Sequence, residues 1–277
     1  MRVPPPYDLR RTLECGQVFR WTVNEQSAVG VFRGQEWTVR QDGSRLRAVG
    51  WGGNATPRAS QTALWRHLAV DAPLDRTEAL LARDRVLRRI LPHTSGIAVM
   101  RQDPWECLIS FVISAFNNIP KIRMTIDMLC RRFGEALPAG GYAFPTAVRL
   151  AEARLPALRS CILGYRAPYV RGVARAVAGG TIHLEQLTLQ PYDGAREALL
   201  ALPGVGEKVA DCILLFALGH GEAFPVDVWV QRAVLQAYFG GRRMTPRSIG
   251  VWARHRFGSL AGYANQHLFL AARNGVL

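Results

Sequence analysis

Lys208 and Asp227 are the residues of this chain best placed to do chemistry. Lys208 falls in the first turn of the helically spaced segment 207–218, directly after the turn Leu202-Pro203-Gly204-Val205-Gly206. The positive end of the helix dipole disfavours a second positive charge there, which leaves an amine able to attack. Asp227 ends the stretch Phe224-Pro225-Val226-Asp227 and opens the next helical segment. Free amides and the dipole favour its ionised form at that position, and such an anion suits a cation developing nearby. Cys212, one turn beyond Lys208 on the same helical face, offers a small polarisable wall beside the amine. Each also has a plainer reading: a phosphate-contacting lysine, a helix cap and a core cysteine. Lysine is rare here, however. Only Lys121 and Lys208 among the 35 basic residues are lysine, and the rest are arginine, which cannot lose its proton and act as a nucleophile.

The elements around these residues are read as two helices joined by a glycine hairpin. Gly204 and Gly206 can take backbone angles closed to other residues. The amides of Gly204, Val205 and Gly206, with the next helix N-terminus, then form an anion site that ignores sequence. A helix from Lys208 to Leu218 is roughly 15 Å long, and the loop behind it can span up to roughly 28 Å. Asp227 can therefore return beside Lys208.

Upstream, residues 1 to about 55 alternate apolar and polar side chains over 17–23, 28–32, 36–40 and 44–49, with turn signals at Arg33-Gly34 and Asp42-Gly43. Helical spacing takes over at 62–70 and 76–91. Asp103-Pro104 then opens a helix to Phe116, and helices of about three turns continue to the end. The expected fold class is α+β. A small N-terminal antiparallel β-sheet region with helices, over 1–100, precedes a mostly α-helical domain over 101–277 that contains the helix-hairpin-helix.

A balance of 35 basic against 21 acidic residues, with a net charge of +14, favours a polyanionic partner. No run of 18 apolar residues and no charged-then-apolar leader is present, so a membrane span or secretion signal is not expected. The expected setting is the cytoplasm, with nucleoid association if the source is bacterial. Five dispersed cysteines show neither a disulfide framework nor metal-ligand spacing, and no metal or cofactor is expected.

Taken together, LPGVGEKVADC and FPVDV resemble the helix-hairpin-helix DNA glycosylases with a Gly/Pro…Asp loop, most closely the 8-oxoguanine DNA glycosylases. ECGQVFRW (14–21), DPWECLISFVISAFNNI (103–119), LGYRAPYV (163–170) and YANQHLFLAAR (263–273) extend the resemblance over most of the chain. It implies a bifunctional glycosylase and lyase, active as a monomer on double-stranded DNA containing oxidised guanine. Lys208 would attack the sugar carbon of a flipped nucleotide, and Asp227 would stabilise the cationic sugar. The Gly16 carbonyl would accept the N7–H of the oxidised base. Cys212 and Phe269 would sandwich that base, while Asn265 read its edge.

On the DNA side, the resemblance implies a wedge at Tyr165 and an arginine, Arg166, for the orphaned cytosine. Asn118, Lys121 and Trp229 would also contact DNA. The chain departs from the family at three points. Phe116 precedes Asn117-Asn118 where a third asparagine is usual, Lys121 replaces an arginine, and Trp229 replaces a histidine. These changes remove donors that would select cytosine. Two other readings stay open on the sequence: a monofunctional glycosylase for alkylated bases, and a DNA-binding protein that uses the hairpin only as a clamp.

Overall fold

The computed structural model describes residues 1–51 and 57–277, so the end of the expected β-region, 52–55, lies outside the described residues. Strands β1 (Trp21–Val23), β2 (Ala28–Phe32), β3 (Gln35–Asp42) and β4 (Arg45–Trp51) pair antiparallel in chain order. Alternation decides the face, because Trp21, Ala28, Trp37, Val39 and Leu46 are all buried. The β2–β3 turn is the expected Arg33-Gly34, and both residues have positive φ (51° and 68°), which matches the twist of the flanking strands.

Two of the segments that differ from their sequence expectation do so because a distant partner decides the local structure. Residues 17–20 do not join the sheet. Gln17 is buried, and its amide donates to the Thr12 and Ala98 carbonyls, both at 2.8 Å, and accepts from the Met100 amide at 2.9 Å. Ahead of it, Asp8 caps an unanticipated helix, Leu9–Glu14. The expected helix 76–91 is divided into Leu74–Leu81 and Arg85–Thr94. Asp84 caps the second of these and is held by Tyr238 and Arg256, both at 2.8 Å. A third segment departs from helical spacing after the short helix Leu155–Leu158, where the chain passes through a wider turn in which Ile162 has φ 60°.

Packing produces three main hydrophobic clusters among the described residues. The first gathers Phe19 and residues between 107 and 223, including the helix Pro104–Ser114 and the two hairpin helices, Tyr192–Leu200 and Glu207–Phe216. The second packs the sheet against residues between 3 and 100. The third joins Leu81–Leu91 to Val228–Phe239, Pro246–Phe257 and the last helix, Ala261–Arg273. Thr94 Oγ1 and His267 Nδ1, 2.9 Å apart, add a buried hydrogen bond to that joint. No helix of the described residues is long and apolar enough to cross a membrane.

Candidate active site

The first and third clusters meet at a cavity of about 1030 Å³, and Lys208, Asp227, Cys212, Gly16, Asn265 and Phe269 all line it. Gly16 arrives from the N-terminal segment, Lys208 and Cys212 from one helix, Phe269 and Asn265 from the last helix, and Asp227 from the loop between Phe216 and Val228. The tertiary fold thus assembles residues that are far apart in the chain.

The hairpin is tighter at one glycine than at the other. Gly204 has φ +77°, and a Cβ built on it would stand 2.7 Å from the Tyr169 ring, so both conformation and space require glycine. Gly206 is extended (φ −94°), contrary to expectation, and could be another residue as far as its backbone is concerned. Its contribution is room: nothing lies within 4 Å of a Cβ built there. The first helical bond runs from Ala210 N to Gly206 O, which leaves the amides of Glu207, Lys208 and Val209 without helical acceptors at the cavity edge. Free amides at a helix N-terminus are an arrangement that can receive an anion.

A polar brace that the sequence did not disclose holds the two hairpin helices together. Arg196 pairs with Asp211 at 3.2 Å and Glu207 at 3.4 Å, and Tyr192 donates to Asp211 at 2.7 Å. Arg254 donates to the Tyr192 hydroxyl at 3.0 Å, tying a third helix to the pair. Burial raises the Asp211 carboxyl above its usual range, against the pull of Tyr192 and Arg196.

Lys208 is half-buried. Its Nζ donates to Ser114 Oγ at 3.1 Å and sits 4.9 Å above the centre of the Phe111 ring. Both partners lie on Pro104–Ser114, so that helix aims the amine. Asp227 caps its helix as expected, accepting from the Val230 amide at 2.8 Å. Burial nevertheless raises its carboxyl above the usual range, more than the Val230 and Trp229 amides and the nearby Lys208 charge lower it. That outcome reverses the expectation that capping would dominate. Lys208 and Asp227 face the same cavity while bonded to other partners. Cys212 is 2% exposed, and burial pushes its thiol up to about 12, so it presents neutral sulfur.

Gly16 has φ +83°, and a Cβ there would meet the Phe269 ring at 3.1 and 3.3 Å. Gly16→Ala should therefore cost about 1–2 kcal/mol of stability through left-handed strain. By displacing Phe269 it should also slow single-turnover chemistry at this site by roughly tenfold or more. Urea denaturation and quench-flow kinetics check the two effects; an unaltered rate would remove Gly16 from the site.

Other expected contacts are placed differently. The Asn265 amide is buried and donates to the Pro225 carbonyl at 2.7 Å, so in this structure it secures the loop that presents Asp227. Its neighbour Gln266, overlooked in the sequence, also lines the cavity, and its Oε1 is buried without a partner. Adjacency to Asn265 was the one available signal. Arg166 is only 6% exposed and bonds to the backbone of Ala115 and Phe116, whereas Tyr165 stands 55% exposed beside it. Asn118 caps the helix Ile119–Phe133 by accepting from the Lys121 amide at 3.0 Å, and the Lys121 side chain is exposed. Trp229 is 39% exposed at the cavity, with the Arg232 guanidinium 5.5 Å from its ring centre.

Residues 3–108 match the family of 8-oxoguanine DNA glycosylase N-terminal domains, and residues 109–250 match the HhH-GPD superfamily of base excision DNA repair proteins. A protein of Methanothermobacter thermautotrophicus, named "Probable N-glycosylase/DNA lyase", is 36% identical over 217 residues, covering 70% of this chain and 69% of the relative. The N-glycosylase/DNA lyase of Saccharomyces cerevisiae is 30% identical over 257 residues, covering 83% and 68%. Among solved structures, the Clostridium acetobutylicum 8-oxoguanine glycosylase/lyase, in complex with double-stranded DNA carrying cytosine opposite 8-oxoguanine, superposes with a TM-score of 0.91. It is 31% identical, and the match covers 98% of this chain and 93% of that one.

Proposed function

The chain belongs to the HhH-GPD superfamily of base excision DNA repair proteins, in its 8-oxoguanine DNA glycosylase branch, and on that premise we propose that it excises 8-oxoguanine from duplex DNA and then cleaves the strand. The observation that carries the reading is the single cavity in which Lys208, Asp227, Cys212, Gly16 and Phe269 converge beside the hairpin.

The turn at Gly204–Gly206 holds a backbone phosphate while the damaged nucleotide swings out of the stack, where its sugar carbon becomes reachable. The base enters between Cys212 and Phe269. The Gly16 carbonyl accepts the N7–H that distinguishes 8-oxoguanine from guanine. Gln266 adds an amide whose buried oxygen has no partner until a base supplies one. The Lys208 Nζ lone pair attacks the anomeric carbon, the glycosidic bond breaks, and the departing base takes the electron pair and then a proton. Asp227 stabilises the positive charge spread over the sugar. Loss of a proton and opening of the sugar ring give a Schiff base on Lys208. β-Elimination then expels the 3′ phosphate, and hydrolysis frees the lysine.

The division at residue 100 is part of the proposal: the β-rich segment 1–100 contributes Gly16, and 101–277 contributes the other proposed catalytic and pocket residues. The enzyme acts as a monomer.

The test is one set of duplexes carrying 8-oxoguanine, an alkylated purine or no lesion, incubated with and without borohydride. Release of 8-oxoguanine with a covalent protein–DNA adduct is expected. Release of the alkylated purine alone, with no adduct, would overturn the reading in favour of a monofunctional enzyme. Salt-sensitive binding with no product from any duplex would overturn it in favour of a clamp.

A further inference from the structure

Gly16 lies at the cavity, but most of the groups that hold it there do not. The chain is pinned on both sides of it. Before it, Arg273 donates from Nη1 to the Glu14 carbonyl at 3.2 Å. After it, Gln102 donates from Nε2 to the Gln17 carbonyl at 2.6 Å. The Gln17 side chain is fully buried, and every hydrogen-bonding group on it is used. Its Nε2 donates to the carbonyls of Thr12 and Ala98, each at 2.8 Å, and its Oε1 accepts from the Met100 amide at 2.9 Å. The Thr12 hydroxyl accepts from the Ala98 amide at 3.1 Å and closes the network. One side chain thus ties the helix Leu9–Glu14 to the segment 98–100. A buried amide satisfied in this way adds little net stability but fixes geometry.

Gln102 makes a second connection. Its main-chain amide donates to the Phe216 carbonyl at 2.8 Å, and Phe216 ends the helix that carries Lys208 and Cys212. The segment bearing Gly16 is therefore referenced, through one residue, to the helix bearing the amine and a pocket wall. Gly16, Arg273, Lys208 and Cys212 line the cavity, whereas Gln17 and Gln102 stand behind it.

Rigidity matters here because of what the Gly16 carbonyl has to distinguish. Guanine presents a lone pair at N7 and 8-oxoguanine an N–H. A carbonyl that can move retreats from the lone pair and drifts from the donor, and either motion lowers the difference between the two bases. Glycine is the most pliable residue on which to build such a reader, so the stiffness has to come from its neighbours.

We propose that Gln17 and Gln102 are positioning residues for lesion recognition. They hold the Gly16 carbonyl in register with the Lys208 helix, and the choice of 8-oxoguanine over guanine depends on them although neither meets the base. The inference rests on the reading that this carbonyl receives the N7–H of the lesion.

The experiment measures affinity in the Lys208→Gln background, so that binding is read apart from excision. Three duplexes are compared, with 8-oxoguanine, guanine or a tetrahydrofuran abasic analogue at the same position; the last offers no base to read. Gln17→Met removes the side-chain network. Gln102→Met removes only the bond to the Gln17 carbonyl and keeps the main-chain bond to Phe216. Each should lower the ratio of affinities for 8-oxoguanine over guanine by about tenfold, the worth of one well-placed hydrogen bond. Affinity for the abasic duplex should stay within about twofold, because the phosphate contacts that dominate it are untouched. If Gln17→Met does not fold, the milder Gln102→Met decides. A preserved ratio in Gln102→Met would overturn the proposal, and so would a parallel loss on all three duplexes, which would mean a loosened fold rather than a displaced carbonyl. A Lys208→Gln parent that binds 8-oxoguanine no better than guanine would instead overturn the reading of Gly16 itself, a result visible before either variant is made.

Discussion

Lys208→Gln should abolish the borohydride-trapped adduct and slow base release on the order of 10³-fold or more, as removal of an attacking group does. Glutamine is nearly as long and can still donate to Ser114 Oγ, which the amine now reaches at 3.1 Å, so the cavity should keep its shape and its affinity for lesion DNA. Other amines provide an internal control. Lys121 lies one turn into its helix with its side chain exposed, and the Met1 ammonium is bonded to the Leu46 carbonyl at 2.9 Å. Neither lines the cavity. Lys121→Arg should therefore trap as the unaltered chain does. An adduct that survives Lys208→Gln and disappears with Lys121→Arg would relocate the nucleophile and sink the assignment.

Asp227→Asn should lower single-turnover excision by about 10²–10³-fold, the usual loss when a preorganised electrostatic partner is removed. Asparagine can still accept the Val230 amide at the helix start, so the fold should survive with its charge deleted. The pH profile gives a second check. In the proposed reaction Asp227 acts as a carboxylate, so its contribution is present above its folded pKa and lost as pH falls through it. Burial sets that pKa above the ordinary 3.8. The acid limb of the unaltered enzyme should accordingly begin at a higher pH than a surface carboxylate would give, and should vanish in Asp227→Asn.

The same shift predicts the opposite sign for stability. Unfolding lets the carboxylate ionise more readily than it does in the cavity, so the group costs stability once pH rises through the folded pKa. Asp227→Asn should then melt higher than the unaltered chain at pH 7, and the difference should close below about pH 3.8. A variant that is both slower and less stable at pH 7 would show that the residue serves as a cap and little else.

Features written in short stretches were legible from the sequence. The hairpin, the cap at Asp227 and the Arg33-Gly34 turn depend on residues a few positions apart, and the alternation of the sheet survives without knowledge of its partner. What escaped depended on distant groups. Asp84 breaks a continuous helical pattern with help from Tyr238 and Arg256. Gln17 takes the place of strand bonds by reaching Ala98 and Met100. Arg166, expected at an orphaned base, bonds to a carbonyl 51 residues away. Burial raised the Asp227 carboxyl because helices from the far end of the chain close over it, and a local reading of the cap contains no such information.

The cavity lies where the first and third clusters, packed separately, meet. Separation along that seam exposes only the cavity-facing members of each cluster, so it requires less free energy than melting either of them. The enzyme should therefore breathe along this line. Amides of 203–208 and 224–227 should exchange with solvent deuterium before those of the Pro104–Ser114 helix, and in urea catalysis should disappear while far-UV ellipticity is still native. Sequence drift within a cluster is correspondingly free as long as its edge on the seam keeps its shape.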